Sequence, residues 1–282
     1  MLCTSPNASR KILIAVKTYP TLSRSHGELV CTAGFREDGS WIRIYPVPFR
    51  LLDYQNQYSK FDWIEGSFRK NTSDRRPESY RPNDTSSLKM VGHMGTEDRW
   101  RDRREFVLGK ASVYDRICPL IDAAHRNELS LAVFKPTRIL DFTWEATERE
   151  WDPDKVDEMR SVGDQGELFG TENWRDTLKL VDKLPYKFSY EFADEEGRES
   201  RLQVLDWEAG GLYWNCLRNA EGDEGVALQK VRQKYFEVFK ETDLHFFLGT
   251  TFLYHSWAPN PWLIIGVFPV PPLPPLLQPS LF

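Results

Sequence analysis

The sequence contains no long apolar run and few cysteines, and both absences narrow the class of protein. No stretch of 18 apolar residues occurs, so we expect no membrane-spanning helix. Residues 1–11 are polar, which predicts that the chain has no secretory signal. The four cysteines are scattered and form no Cys-x-x-Cys pair and no disulfide framework. A reducing cytoplasm is therefore the expected compartment.

Familiar cofactor and metal motifs are also missing. The five histidines show no metal-ligand spacing to one another or to cysteine, so we predict no structural zinc site and assign no metal ligands. A catalytic metal held by distant carboxylates stays an open alternative. The sequence has no GxxxxGK[ST], GxGxxG or GxSxG segment, and this removes support for ATP-driven, dinucleotide-dependent and α/β-hydrolase chemistry. We therefore predict no cofactor, and no obligate protein partner is evident.

Charge is distributed unevenly along the chain. The 282 residues have a net charge of −5, and their 40% hydrophobic and 28% charged residues are typical of a globular protein. Residues 1–140 contain 23 basic and 16 acidic residues, whereas residues 141–282 contain 14 basic and 26 acidic residues. A basic half joined to an acidic half indicates a polyanion partner. Random drift in composition is the alternative interpretation.

The pattern of apolar residues predicts a mixture of separated strands and helices. Strands are expected at 11–19 and 40–46 and near the C-terminus, at 245–254 and 262–268. Helices are expected at 26–36, 96–108, 111–127, 206–218 and 226–240, and a long loop at 69–95. No regular alternation of strand and helix is visible. We therefore predict an α+β fold of mixed sheets with flanking helices, as one compact unit or two closely packed halves.

The charge asymmetry and the composition also suggest where the chain divides. We predict a basic, aromatic-rich half at 11–145 that binds DNA or a base. An acidic α+β half is predicted at 146–268. Six of the fifteen residues from Phe268 to Phe282 are proline, so residues 269–282 are predicted to form a disordered tail.

The densest group of residues with chemical potential lies on the first predicted strands. Side chains alternate along a strand, so Trp41, Arg43 and Tyr45 share one face, opposite Ile42 and Ile44. Two aromatic rings around a guanidinium can stack on a base and hold a phosphate. The alternative is an ordinary sheet covered by a helix, with Arg43 salt-bridged to Glu28. Lys17, Tyr19 and Glu28 are the other candidates of this group.

Two further groups lie outside these strands. Residues 74–82 alternate charges with rigid prolines and contain Arg75, Arg76 and Arg81, which can reach phosphates or simply face solvent. Arginines of the predicted helix 96–108 continue this pattern. Asp206 and Glu208 follow a strand and could hold a divalent metal, but Asp206 is also a good helix N-cap.

Several segments resemble a bacterial family of phage-defence proteins. They are KTYP, GELVCTAGFREDGSWIRIYPVPFR, DRRPESYRP, FFLGT and NPWLIIGVF, and together they extend over most of residues 11–268. That family includes antiphage DNA glycosylases, which excise glucosylated hydroxymethylcytosine from phage DNA. The resemblance thus implies base excision that leaves abasic sites, with double-stranded phage DNA containing modified bases as the partner. It does not extend to the proline-rich tail.

The chemistry of the residues, and not the resemblance, assigns their roles. A carboxylate near the anomeric carbon stabilises an oxocarbenium-like sugar, and aromatic side chains stack on a flipped base. The candidate catalytic carboxylates are Glu28, Asp74 and Glu78. The candidate base- or sugar-binding residues are Tyr19, Trp41, Arg43 and Tyr45. The candidate backbone-binding residues are Lys17, Arg75, Arg76, Arg81, Arg101 and Arg104. The alternative functions are a non-catalytic module that reads modified bases and a metal-dependent nuclease centred on Asp206 and Glu208.

Overall fold

The structure is a computed structural model that describes residues 10–23, 27–47, 49–52, 57–157 and 180–273. These residues form two seven-stranded sheets and one small two-stranded sheet. The first large sheet contains strands from residues 10–93, and the second contains strands from residues 113–270.

The strands of the first sheet are β1 Arg10–Lys17, β4 Thr32–Arg36, β5 Trp41–Ile44, β6 Asp62–Gly66, β7 Phe68–Lys70, β8 Ser79–Pro82 and β9 Lys89–His93. Their order across the sheet is β7-β8-β5-β4-β1-β6-β9. The small sheet pairs β2 Thr21–Ser23 with β3 Gly27–Leu29. β5 and β8 are parallel and the other pairs are antiparallel, so the sheet is mixed.

The strands of the second sheet are β10 Val113–Tyr114, β11 Leu131–Phe134, β12 Arg138–Ala146, β13 Tyr186–Ala193, β14 Glu199–Val204, β15 Asp243–Thr250 and β16 Trp262–Val270. Their order across the sheet is β10-β11-β15-β16-β14-β13-β12. This sheet is also mixed, because β10–β11 and β14–β16 are parallel pairs.

Helices flank the sheets. Their bounds are α1 Glu97–Lys110, α2 Ile117–His125, α3 Trp207–Asn219 and α4 Glu224–Arg232, and α4 continues into a π-helical turn at Gln233–Val238 and a 3-10 turn at Phe239–Glu241. Asp206 and Asp223 start α3 and α4 as N-caps, since their carboxylates accept the backbone N–H of Glu208 and Val226.

The two sheets pack face to face over a shared apolar core. Leu13 and Phe35 of the first sheet, Val133 and Phe247 of the second, and Val107 of α1 belong to this core. The opposite face of the second sheet packs against α2, α3 and α4. Because a sheet buries each apolar face against another element, this arrangement joins the two halves through their largest flat surfaces.

The predicted fold class is confirmed: mixed sheets with flanking helices form two closely packed halves. The chain passes from the first sheet to the second near residue 111, between α1 and β10. The predicted boundary at 145/146 therefore places β10, β11 and β12 of the second sheet in the first half. β16 extends to Val270, into the segment predicted as tail, and residues 274–282 lie outside the described residues.

Three secondary-structure predictions are wrong. The segment 26–36 is not a helix but contains β3 and β4, because its residues pair with β2, β1 and β5. The segment 69–95 is not one long loop, since it contains β8 and β9, which pair with β5 and β6. The segment 111–127 divides into β10 and α2. In each case pairing with distant strands outweighs local preference.

Candidate functional site: a cavity between the two sheets

A cavity of about 500 Å³ opens between the two sheets where β15 ends. We call the part of the chain up to the end of α1 the first domain and the part from β10 onward the second domain. Residues of the first domain that line the cavity include Tyr19, Arg43, Tyr45, Asp74, Arg76 and Arg81. The second domain contributes Gly249, Thr250, Thr251, Phe252, Leu263 and Ile265. Six residues predicted from the sequence to bind a base, a sugar or a phosphate, or to act as the carboxylate, therefore meet at one cavity.

Arg43 is buried at the back of this cavity. The predicted alternation along β5 agrees with the structure. Ile42 and Ile44 belong to a separate apolar cluster on the face of the first sheet that points away from the second sheet. The Arg43 guanidinium donates to Ser130 Oγ at 2.7 Å, to the Ser130 carbonyl at 3.1 Å and to the Thr250 carbonyl at 3.4 Å. Burial, followed by the nearby charge of Arg76, lowers the pKa of Arg43 to about 10, so this side chain stays charged at neutral pH.

Asp74 and Arg76 form a buried ion pair beside Arg43. Arg76 Nη2 lies 2.6 Å from Asp74 Oδ2, and Arg76 Nε lies 2.9 Å from Oδ1. The Ser79 hydroxyl donates to Oδ2 at 2.7 Å. Burial alone would raise the pKa of Asp74, but the hydrogen bonds and charge of Arg76, with Ser79, outweigh it and lower the pKa to about 2. Asp74 is therefore ionised, and both of its oxygens are occupied.

The charge of the cavity is positive. Among the described side chains that line it, Arg43, Arg76 and Arg81 are cationic and Asp74 is the one ionised carboxylate. The Nε atoms of Arg43 and Arg81 are buried without a hydrogen-bond partner in the described part of the chain. No described carboxylate forms an ion pair with Arg43. Buried cations without a counter-ion favour the binding of an anionic ligand.

A second network lies behind Thr250. Asn127 Nδ2 donates to the Arg75 carbonyl at 3.1 Å, so Asn127 Oδ1 accepts the Nε2–H of His255 at 2.9 Å. His255 Nδ1 then accepts the Thr250 hydroxyl at 2.9 Å. Burial, helped by the charges of Arg76 and Arg43, lowers the pKa of His255 to about 4, so the imidazole is neutral. This network links the cavity to the β15–β16 loop that follows Thr250.

Three predicted carboxylates have different surroundings. Asp74 lines the cavity. The carboxylate of Glu78 instead accepts the backbone N–H of Ser130 at 3.1 Å and also its hydroxyl, so it supports the residue that binds Arg43. Glu28 lies on β3, and its side chain is outside the described part of the structure.

Several predicted binding residues do not reach the cavity. Trp41 packs on Phe35 with ring centroids 4.0 Å apart, as part of the shared core. Lys17 donates to the Tyr58 carbonyl at 2.9 Å and lies 4.3 Å from the Phe49 ring centroid. Burial, followed by the charge of neighbouring Lys60, lowers the pKa of Lys17 to about 8.

The arginines of α1 lie at the other end of the second sheet. Arg104 pairs with Asp243 at 2.9 Å, and Arg101 pairs with Asp98 at 3.0 Å. Asp243 begins β15 and Thr250 ends it, so about 23 Å of extended strand separates Arg104 from the cavity. Arg75 is different, because its side chain is exposed near the cavity while its carbonyl binds Asn127.

Asp206 and Glu208 are paired with a lysine. Lys60 Nζ lies 2.7 Å from Asp206 and 3.0 Å from Glu208, and the attraction of both carboxylates outweighs burial and raises the pKa of Lys60. Asp206 is also the N-cap of α3 and accepts the backbone N–H of Val267 at 3.1 Å. An ammonium group thus occupies the position that a divalent metal would need. No group of three or more metal-ligating side chains occurs among the described residues.

The contribution of the second domain was not predicted from the sequence. Thr250, His255 and Asn127 were not candidates, although the FFLGT segment that ends at Thr250 was part of the resemblance. A usable signal was present in residues 251–257, TFLYHSW, because a turn between two strands is seldom so rich in aromatic residues.

The fold and the cavity define a two-domain protein with mixed sheets and a positively charged cleft between them. Residues 113–282, more than half of the chain, match the family described as "Domain of unknown function (DUF8757)", and the chain belongs to this family. Residues 8–109 match a second family, "Domain of unknown function (DUF8758)", and the junction of the two matches coincides with the change of sheet. No curated protein matches the chain. No helix of the described residues is long and apolar enough to cross a membrane.

Proposed function

We propose that this protein is a DNA glycosylase that receives a flipped, modified cytosine in the cavity between its two sheets. The observation that carries the proposal is the convergence of Tyr19, Tyr45, Arg43 and Arg76 with an ionised carboxylate at one opening. The volume of about 500 Å³ is within the range of small-molecule pockets, roughly 300–1,000 Å³. It leaves room for a base that has a sugar attached.

The positive charge of the cavity supports this proposal in two ways. A flipped nucleotide brings its flanking phosphates to the protein surface, where arginines neutralise them. A base that leaves from C1′ takes the bonding electron pair with it, and a nearby guanidinium stabilises the developing negative charge. Arg43, Arg76 and Arg81 are the described cations placed to serve these needs.

Asp74 is the proposed catalytic carboxylate. In the reaction, water adds to C1′ while the C1′–N bond breaks, and the departing base takes up a proton. The sugar acquires positive charge on the way, and an ionised carboxylate stabilises it. Because Arg76 and Ser79 occupy both Asp74 oxygens, Asp74 acts through its charge and not as a covalent nucleophile.

The proposed substrate follows from the sequence resemblance. Glucosylated hydroxymethylcytosine in phage DNA is the base that the resembling family excises, and the proposal places such a base in the cavity. The cytoplasm, where phage DNA enters the cell, is the proposed location.

A non-catalytic reader of modified bases is the second candidate. The observation that favours it is the state of Asp74, the one described carboxylate that lines the cavity, because Arg76 and Ser79 already donate to both of its oxygens. Such a reader would use the same cavity and the same arginines without breaking a bond.

The Asp74→Asn variant discriminates between the two candidates. We expect it to bind glucosylated DNA while losing at least about tenfold of the rate of abasic-site formation, because the amide removes the charge that stabilises the sugar cation. Asp122→Asn, an exposed position on α2, removes the same charge away from the cavity and serves as the control. A wild-type protein that binds the DNA and leaves every base in place would support the reader instead.

A further inference from the structure

The loop between β15 and β16 presents an unusual surface. Residues 251–261 form this loop, which we call the aromatic loop. Its exposed side chains are Phe252 at 50%, Leu253 at 71%, Tyr254 at 48% and Trp257 at 67% of full exposure. Every exposed Phe, Tyr and Trp side chain in the described part of the chain lies in this loop. Large apolar groups concentrated at one exposed place indicate an interaction surface.

The aromatic loop is held in a fixed conformation. His255 is buried in its middle and is bonded on both ring nitrogens, to Thr250 and Asn127. Trp257 Nε1 donates to the Leu253 carbonyl at 2.6 Å, and the Ala258 N–H donates to the Tyr254 carbonyl at 3.1 Å. The exposed rings are therefore positioned before any partner binds, which lowers the entropic cost of binding.

This loop adjoins the positively charged cavity. Phe252 lines the cavity, and the guanidinium of Arg76 lies 6.0 Å from the centroid of its ring. The Arg75 carbonyl accepts a hydrogen bond from Asn127, which also accepts one from His255. The Tyr254 and Trp257 rings lie 5.2 Å apart and are inclined at 59°. The exposed rings thus adjoin a cavity whose wall contains the buried guanidinium of Arg76.

We propose that the aromatic loop stacks on the unpaired bases next to the flipped nucleotide. This inference rests on the proposed function, because it takes the cavity as the place of the flipped base. Aromatic rings bind bases of any sequence through their faces, and the neighbouring arginines supply the charge that a phosphate backbone requires. A neutral membrane or an apolar partner protein would use the rings alone, whereas a nucleic acid uses both the rings and the cationic cavity beside them.

The test compares three DNAs of the same sequence: a single strand, a duplex with a central unpaired bubble, and the fully paired duplex. We expect the double variant Tyr254→Ala/Trp257→Ala to bind the single strand and the bubble about 10- to 100-fold more weakly, as expected for one or two lost stacking contacts. The loss for the paired duplex should be smaller. Tyr254→Phe/Trp257→Phe keeps the rings and should restore most of the affinity.

The control variant is Met90→Ala/Val91→Ala, which removes exposed apolar side chains from the edge strand β9. It should bind all three DNAs as the wild type does. Unchanged affinity of the alanine loop variant for the bubble would overturn the inference, as would equal losses for the bubble and the paired duplex. If the alanine loop variant lost binding to anionic lipid vesicles that the wild type binds, and bound DNA as the wild type does, the inference would be overturned in favour of a membrane partner.

Abasic-site formation by the wild type, measured on the same bubble with a modified cytosine, separates this inference from the proposed function. The wild type is compared with the alanine loop variant in both rate and binding. If both proteins form abasic sites at the same rate and bind the bubble with the same affinity, the inference fails and the glycosylase proposal stands. If the wild type forms no abasic sites, and the alanine loop variant binds the bubble more weakly than the wild type does, the stacking surface is supported and the glycosylase proposal fails.

Discussion

Arg43 carries a positive charge into the protein interior, and its described partners are three neutral oxygens. Burying a cation without a counter-ion costs free energy, and binding of an anion would recover part of that cost. The site chemistry proposed here therefore depends on Arg43 more than on any residue of the protein surface.

Replacing Arg43 separates its contribution to binding from its contribution to folding. In Arg43→Met, relief of the buried charge offsets the lost hydrogen bonds, so the free energy of unfolding should change by only about 1 kcal/mol. DNA affinity should fall about 10- to 100-fold, the value of one or two hydrogen bonds to a charged group. Denaturant unfolding and a fluorescence binding titration measure the two effects.

Arg103→Met is the matched control for this prediction. Arg103 is also buried and donates to a backbone carbonyl, that of Met94, but it lies outside the cavity. It should affect stability without affecting DNA affinity. A large stability loss in Arg43→Met with unchanged affinity would show that Arg43 is only a structural residue.

His255 predicts a dependence of stability on pH. Its pKa is about 4 in the folded protein, below the ordinary value of 6.5, so below pH 6.5 the unfolded chain binds a proton that the folded protein does not. Stability should therefore fall between pH 6.5 and 4, by about 2 kcal/mol at pH 5. Arg76, Arg43, Asp74 and His125 also act on this imidazole.

The comparison with His255→Gln isolates this effect, since all other titrating groups are shared. Urea unfolding at pH 7 and pH 5 should show a smaller loss of stability for the variant than for the wild type. Equal losses in the two proteins would contradict the assignment of a buried neutral His255.

At the scale of elements, strands with apolar β-branched runs could be predicted from the sequence, whereas β8 could not. β1 and β5 were predictable because Ile12, Ile14, Ile42 and Ile44 mark buried faces. β8 has a polar sequence, and its pairing with β5 depends on a partner 36 positions away, at Arg43 and Ser79. That pairing brings Asp74 and Arg76 beside Arg43, so the composition of the cavity was predictable in part and its geometry was not.

Gly34 tests the packing of β4 on β1. A Cβ at position 34 would lie 2.1 Å from the Leu13 carbonyl oxygen, a contact that the backbone must move to relieve. Gly34→Ala should therefore destabilise the protein by about 3 kcal/mol. Gly109→Ala on α1 has open space around its new Cβ and should be neutral or stabilising by up to about 1 kcal/mol. Thermal unfolding of both variants checks the prediction, and equal transition temperatures would contradict it.

At the scale of the whole molecule, the two domains carry charges of opposite sign, +5 and −11, as the two halves of the sequence do with +7 and −12. Residues 8–109 contain 18 basic and 13 acidic residues, and residues 113–282 contain 18 basic and 29 acidic residues. The cavity nevertheless takes residues from both domains. The acidic domain is therefore not only a scaffold, because it supplies Thr250 and the aromatic loop.

Salt dependence of DNA binding shows which arginines contact phosphates. Each neutralised phosphate contributes about −0.9 to the slope of log K against log salt concentration for duplex DNA. Arg75→Ala, beside the cavity, should reduce the magnitude of this slope by about one. Arg101→Ala, at the other end of the second sheet, should leave it unchanged. The reverse result would place the DNA along α1 and away from the cavity.

The central claim is that the cavity receives a modified cytosine and that the protein cuts its bond to the sugar. The most direct measurement incubates the wild-type protein with two duplexes that differ only in one cytosine, unmodified in one and glucosylated hydroxymethylcytosine in the other. Alkaline cleavage then reveals abasic sites, and chromatography detects the released base. We predict a break at the modified position alone, with the modified base released intact. Unbroken DNA and no released base, at protein concentrations that saturate binding, would contradict the claim.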